Sequence, residues 1–292
     1  MSCPDCFRGT IHNHGPGAEG VKGYEETIHG KRTYIATPST AADSQSTILF
    51  VTDAFGIDFI NNKMLADKYA AGTGLRVLLP DLIPGGGLST SVMGIMDRIS
   101  KPVSWWNVWG QLKRIGAVFR AIWYVAPFMM RASPAKAYPG VLEWTRKLKA
   151  DMPAGAKLGV AGFCWGGYQS TNMSKEPAVE GGSVRLVDAQ FCAHPSGLSL
   201  PDMIVDAVTT FKVPYSLAQA DVDIVLPTEK VLDIEARLRQ AVGDGQGEGG
   251  YNYEIKIWKD CHHGFAVRFK PGEGEGAEGA KDQAIEWFKK YL

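Results

Sequence analysis

A cysteine bracketed by glycines offers the first chemistry. In Leu158-Gly159-Val160-Ala161-Gly162-Phe163-Cys164-Trp165-Gly166-Gly167-Tyr168-Gln169 an apolar strand runs into Cys164 and straight on into a helix. Glycine at 162 and at 166 lets the main chain turn sharply enough to lift the Cys164 side chain clear of a sheet. The helix then aims its first free N–H groups and its positive dipole end at the sulfur. That favours thiolate and leaves a backbone donor for an oxyanion. The pattern reads as a nucleophile elbow carrying a thiol in place of a hydroxyl; the plainer alternative is an inert, buried cysteine at a Gly-rich strand end.

Such a nucleophile needs a base, and the base needs an orienting carboxylate, each on a loop after a later strand. Ala220-Asp221-Val222-Asp223-Ile224-Val225-Leu226-Pro227 follows one apolar run, and Lys259-Asp260-Cys261-His262-His263-Gly264-Phe265 follows another. Residue types alone leave Asp221 or Asp223 as the acid and His262 or His263 as the base.

From about residue 24 to the C-terminus the chain resembles the dienelactone hydrolase family of α/β-hydrolases, because Gly162-Phe163-Cys164-Trp165-Gly166-Gly167 matches that family's Gly-x-Cys-x-Gly-Gly elbow. The resemblance implies Asp223 as the acid, four residues before Pro227, and His263 as the base, directly before Gly264-Phe265-Ala266. It also implies an oxyanion hole made by the backbone N–H groups of Trp165 and Ala54. The family carries a Glu before Ile-Phe-Gly that hydrogen-bonds the resting thiol; this chain has Asp53-Ala54-Phe55-Gly56 there, and Asp53 could instead cap the turn after its strand. Bacterial members hold a substrate carboxylate with arginines, one of them four residues after the histidine. Here that position is Val267 and Arg268 lies one place off, a departure that bears on the substrate rather than the reaction. Cys3-Pro4-Asp5-Cys6-Phe7 also resembles the start of fungal members.

The implied activity is Cys-dependent hydrolysis of lactones or small carboxylic esters through an acyl-Cys intermediate, with no metal or organic cofactor. The competing reading is a catalytically silent α/β-hydrolase fold that binds an apolar ligand.

The elements that must position these residues follow from periodicity. Apolar strands are expected at 48–52, 76–79, 157–162, 184–193, 215–219 and 253–258, alternating with helices at 62–71, 139–149, 165–173, 201–210, 228–240 and 283–291. That alternation means a mostly parallel central sheet with helices on both faces, the α/β class. Residues 25–37 alternate around His29-Gly30-Lys31 as a hairpin would. The glycine-rich stretches 243–250 and 272–279 read as surface loops, and neither follows a strand and opens a helix as a dinucleotide fingerprint must.

The domain expected is a single α/β-hydrolase domain over 24–292, preceded by an N-terminal arm at 1–23. The arm is irregular. Its Cys3-x-x-Cys6 with His12 and His14 lacks the spacing of a zinc finger and the strand-to-helix context of a redox motif. Between about 85 and 137 an insertion rich in Trp105, Trp106, Trp109, Trp123, Tyr124 and Phe128 interrupts the rhythm, reading as helical and apolar: a lid lining the site, a thickened core or a dimer contact. A homodimer is therefore left open.

Lys and Arg total 31 against 31 Asp and Glu, so the chain-wide balance offers no pull toward nucleic acid or an anionic membrane, and neither is expected as a partner. The expected partner is a small-molecule lactone or ester. Five widely spaced cysteines and no apolar leader suit a reducing, cytoplasmic setting. The most apolar window, 116–130, contains Arg120 and Pro127 and is too short to span a bilayer.

Overall fold

The computed structural model describes residues 20–40 and 44–292; Cys3, Cys6, His12 and His14 lie outside them. His29 and Gly30 both take positive φ, 46° and 73°, the geometry of a two-residue hairpin turn that matches strand twist. They join β1 (Tyr24–Ile28) to β2 (Lys31–Ala36), which pairs antiparallel with β4 (Arg76–Pro80). From β4 onward every pairing is parallel: β3 (Thr47–Val51), β5 (Leu158–Phe163), β6 (Ala189–Ala193), β7 (Tyr215–Val222) and β8 (Tyr253–His262). The spatial order is β1-β2-β4-β3-β5-β6-β7-β8. The chain steps from β3 outward to β4 and returns to β5 on the other side. The C-terminal ends of β3 and β5 therefore flank a topological switch point, where open α/β sheets bind ligands.

The central strands β3, β5 and β6 are buried on both faces, so helices must cover each. On one side α1 (Ile60–Thr73) packs with the short α8 (Phe265–Arg268) and with α9 (Gly274–Tyr291); on the other lie α4 (Pro134–Asp151), α5 (Trp165–Met173), α6 (Asp202–Thr209) and α7 (Thr228–Val242) in succession. Phe50 of β3 and Phe163 of β5 stack at 4.6 Å under Tyr69 of α1. Each such ring contributes about 1.5–3 kcal/mol of burial. A helical pair, α2 (Ser91–Ser100) and α3 (Val108–Arg131), fills most of the insertion. Among the described residues no helix is long and apolar enough to cross a membrane.

Several boundaries differ from expectation, among them α4, which starts at Pro134 rather than 139, and β7, which runs to Val222 rather than 219. β6 covers only the end of 184–193, because Asp188 turns back to accept the Leu158 N–H and the chain before it is bridged to Pro177. β8 runs on to His262, beyond the expected 258. Most of the glycine-rich stretch 272–279 is not a loop but the start of α9: a Cβ at Gly279 would collide with the Trp258 ring, and one at Gly276 with the Cys261 sulfur. Those glycines let the helix lie close against β8, and sequence pattern alone mistook close packing for a turn.

Candidate active site

Cys164 stands between the last residue of β5 and the first of α5, with φ 49° and ψ −106°. A non-glycine residue in the left-handed region costs of order 1–3 kcal/mol and persists only where its surroundings enforce it. They do so here. A Cβ at Gly162 would collide with the Gly166 carbonyl and Ser170 Oγ; one at Gly166 would collide with the Val51 carbonyl and stand 2.8 Å from that of Thr52. The Gly166 N–H donates to Thr52 O at 3.1 Å and the Gly167 N–H to Cys164 O at 3.0 Å, clamping the elbow between β3 and its own helix. The Trp165 and Ala54 N–H groups make no hydrogen bond among the described residues. They are the two donors proposed for an oxyanion.

The structure brings His263 and Asp223 together: Nδ1 to Oδ2 is 2.9 Å, both side chains fully enclosed. Asp223 has its other acceptor positions filled. Gln219 Nε2 donates to Oδ2 at 2.8 Å, and the Val225 and Leu226 N–H groups donate to Oδ1 at 2.8 and 3.4 Å. Burial opposes its charge, yet His263 and these donors outweigh it and hold its pKa below the usual carboxylate range. For His263 burial again opposes charge. The negative charges of Cys164, as thiolate, and of Asp223 prevail and raise its pKa to about 10. With Cys164 as thiolate, the form in which cysteine is nucleophilic, a protonated His263 would be its counter-charge.

Their neighbours go elsewhere. Asp221 Oδ1 accepts the Cys261 N–H at 3.1 Å, tying β7 to β8. His262 turns outward, and both its N–H and its Nδ1 meet Glu273 Oε1, at 2.9 and 2.8 Å. An irregularity in the β7–β8 ladder decides this. Ala220 pairs with Trp258 but Val222 pairs with His262, so β8 carries extra residues around Asp260, which takes φ 56°.

Asp53 is fully buried and ion-paired with Arg268, whose Nη1 reaches Oδ2; Oδ1 accepts from Asn62 Nδ2 at 3.0 Å and from the Phe55 N–H at 3.2 Å. Asp53 caps the turn after β3 through Phe55, and it stands near enough to Cys164 to feel its charge. Burial drives its pKa up, Arg268 and Asn62 oppose this, and Cys164 adds to the rise. Arg268 is enclosed by Asp53, Gly264 and the Phe55 ring, 5.4 Å away. It is a buried counter-ion, and at Val267, the place of the family's substrate arginine, the side chain is apolar and buried.

Two residues escaped the sequence reading. His194, the first residue after β6, is buried with φ 38°, and its ring meets that of His263 edge-on at 5.0 Å. Among the described residues neither of its ring nitrogens has a hydrogen-bond partner, and burial, then the charges of His263 and Arg268, push its pKa far down, which favours the neutral ring. Ser196 Oγ lies 3.6 Å from the Cys164 sulfur. The available signal was position, since both lie within three residues of the end of β6, a strand that ends at the same edge of the sheet as β3 and β5.

The insertion meets this centre at both ends: near its start the Leu88 N–H donates to Ala54 O at 2.8 Å, and its other contact is at the far end of α3. Trp165 Nε1 donates to Ala132 O at 2.7 Å, and Phe128 is buried in the main core. Trp105, Trp109 and Trp123 do not line an enclosed site: they are 80%, 75% and 79% exposed.

A family model described as the dienelactone hydrolase family matches residues 32–292. Hydrolase tropI of Talaromyces stipitatus is 25% identical, covering 100% of this chain and 96% of its own length. A carboxymethylenebutenolidase homolog of Xenopus tropicalis is 23% identical over 94% of this chain and 92% of its own length. Among solved structures, a dienelactone hydrolase candidate from Klebsiella pneumoniae superposes with a TM-score of 0.59 at 18% identity, over 92% of this chain and 99% of that one, a likeness of fold.

Proposed function

The chain belongs to the dienelactone hydrolase family, and from that premise we propose that it hydrolyses lactones or small carboxylic esters with Cys164 as nucleophile. The observation that carries the reading is the enclosed Asp223–His263 hydrogen bond on the loops facing a strained Cys164 elbow. The Cys164 thiolate attacks the carbonyl carbon, and the Trp165 and Ala54 N–H groups take the developing oxyanion, each donor worth about 2.7–4 kcal/mol in comparable sites. The His263 imidazolium gives its proton to the leaving alkoxide, and an acyl-Cys remains. Neutral His263, held in one tautomer by Asp223, then takes a proton from water as it attacks the thioester. The acid leaves and the thiolate is restored. Every step uses groups of the chain and water.

Val267 at the family's cation position, with Arg268 bound to Asp53, argues for a substrate recognised without a free carboxylate. A cytoplasmic setting suits the three free thiols among the described residues, Cys164, Cys192 and Cys261. The test is intact-mass spectrometry during turnover of a slow activated ester. An adduct of one acyl group, absent in Cys164→Ala, is expected. Ligand binding with no turnover and no adduct would instead favour the non-catalytic binding protein.

A further inference from the structure

The segment from Arg98 to Leu142 contains seven Lys or Arg residues and no Asp or Glu, so a chain that is neutral overall is locally polarised, with the remainder seven charges negative. The same segment holds the helix with the largest exposed apolar face. On α3 and the turn before it, Trp105, Trp109, Leu112, Phe119, Trp123 and Met130 follow one another at spacings of three, four or seven and are all exposed, while Ala117, Ala121 and Phe128 face inward. At about 36 Å long, this is a continuous apolar stripe of a size that folded proteins rarely leave to water.

Beside the stripe, α2 and α3 frame an open groove of about 450 Å³ lined by Ser91, Ile95, Arg98, Lys113, Gly116 and Arg120. None of these three cations forms a salt bridge among the described residues. Unpaired cations on the rim of a Trp-rich apolar helix are the chemistry of a helix lying in the headgroup layer: indole rings suit the interface, and the cations meet lipid phosphates. A second copy fits worse. An isologous contact over the stripe would bring the same unpaired cations toward their own copies. With Lys113, Arg114 and Arg120 in its middle, α3 is not apolar enough to cross a bilayer.

We propose that the exposed face of α3, with the Arg98–Lys113–Arg120 groove, docks the protein on an anionic lipid surface. The chain-wide charge balance concealed this, because the compensating acids lie outside the segment. Docking would set the end of α3 that is bonded to Trp165, and with it the elbow, beside the lipid.

The test uses the full chain with vesicles of phosphatidylcholine, alone or mixed with phosphatidylserine. Binding by flotation, with a blue shift of tryptophan emission, is expected on the mixed vesicles and should weaken as salt rises. Arg98→Gln, Lys113→Gln and Arg120→Gln should each weaken it about fivefold. The combined Trp105→Ala, Trp109→Ala, Trp123→Ala variant should lose it, while turnover of a water-soluble ester stays at the parent level and reports that the variants fold. Absence of binding to mixed vesicles overturns the proposal, as does equal binding to both kinds with no effect of the charge variants. A stable dimer by sedimentation that dissociates in the tryptophan variant, with no vesicle binding, would assign the face to a second copy instead.

Discussion

Replacing Arg268 by Met tests what that cation is for. Methionine fills a similar volume and removes the charge, so Asp53 keeps Asn62 and the Phe55 N–H but loses its counter-ion in a site with no solvent contact. Leaving one member of a buried ion pair alone costs about 3–5 kcal/mol. For a chain of this size that corresponds to a fall in Tm of about 6–20 °C. The pH dependence has a definite sign. Burial already raises the Asp53 pKa above 3.8 against the pull of Arg268, and removing Arg268 raises it further. A group with a raised folded-state pKa contributes stability below its unfolded value and loses it as pH rises through the folded one. The deficit of the variant should therefore grow as pH rises past the folded-state pKa of Asp53 in the parent, itself above 3.8. Asp53→Asn with Arg268→Met removes both charges and should cost less than Arg268→Met alone. Urea unfolding followed by tryptophan fluorescence measures all three proteins. If Arg268→Met unfolds within about 1 kcal/mol of the parent while KM rises steeply for a lactone bearing a free carboxylate, Arg268 is a substrate cation and the buried-pair account is wrong.

Cys164→Ala and His263→Ala should each abolish turnover with folding intact, and the double variant should be little worse than either, because the groups act as one unit; activity surviving in His263→Ala but lost in His262→Ala would move the base. With the His263 pKa raised to about 10, the stability from its pairing is fully present below pH 6.5 and is lost as pH rises through about 10; urea midpoints of the parent and His263→Ala should therefore converge over that interval. Gly166→Ala, whose new methyl has no room against Val51 O and Thr52 O, should destabilise by more than about 2 kcal/mol and abolish activity, as read by thermal unfolding and ester turnover. His194→Phe removes two unpartnered buried nitrogens while keeping a ring against His263; it should leave turnover intact and stability unchanged or about 1 kcal/mol higher, and lost turnover would mean that those nitrogens serve the reaction.

The features legible in the chain are those whose causes lie within a few residues. Gly162 and Gly166 around Cys164 specify the elbow because the steric demand is local. His29-Gly30 specifies the hairpin, and alternating apolar strands and amphipathic helices specify the parallel sheet, for the same reason. Choices made across the fold were not legible. Whether His262 or His263 meets Asp223 depends on the extra residues that β8 carries opposite β7, and Arg268 finds Asp53 from 215 residues away. The glycines at 276 and 279 read as loop residues from local pattern, whereas Cys261 and Trp258, packed against them, place them in a helix. Composition placed the tryptophans of the insertion in a core, a lid or a contact; only the packing of α3 through Ala117, Ala121 and Phe128 decided that the opposite side faces outward. Local sterics and periodicity are written in neighbouring residues, whereas the partner of a buried charge and the exposed side of a helix are set by which distant segments arrive beside them.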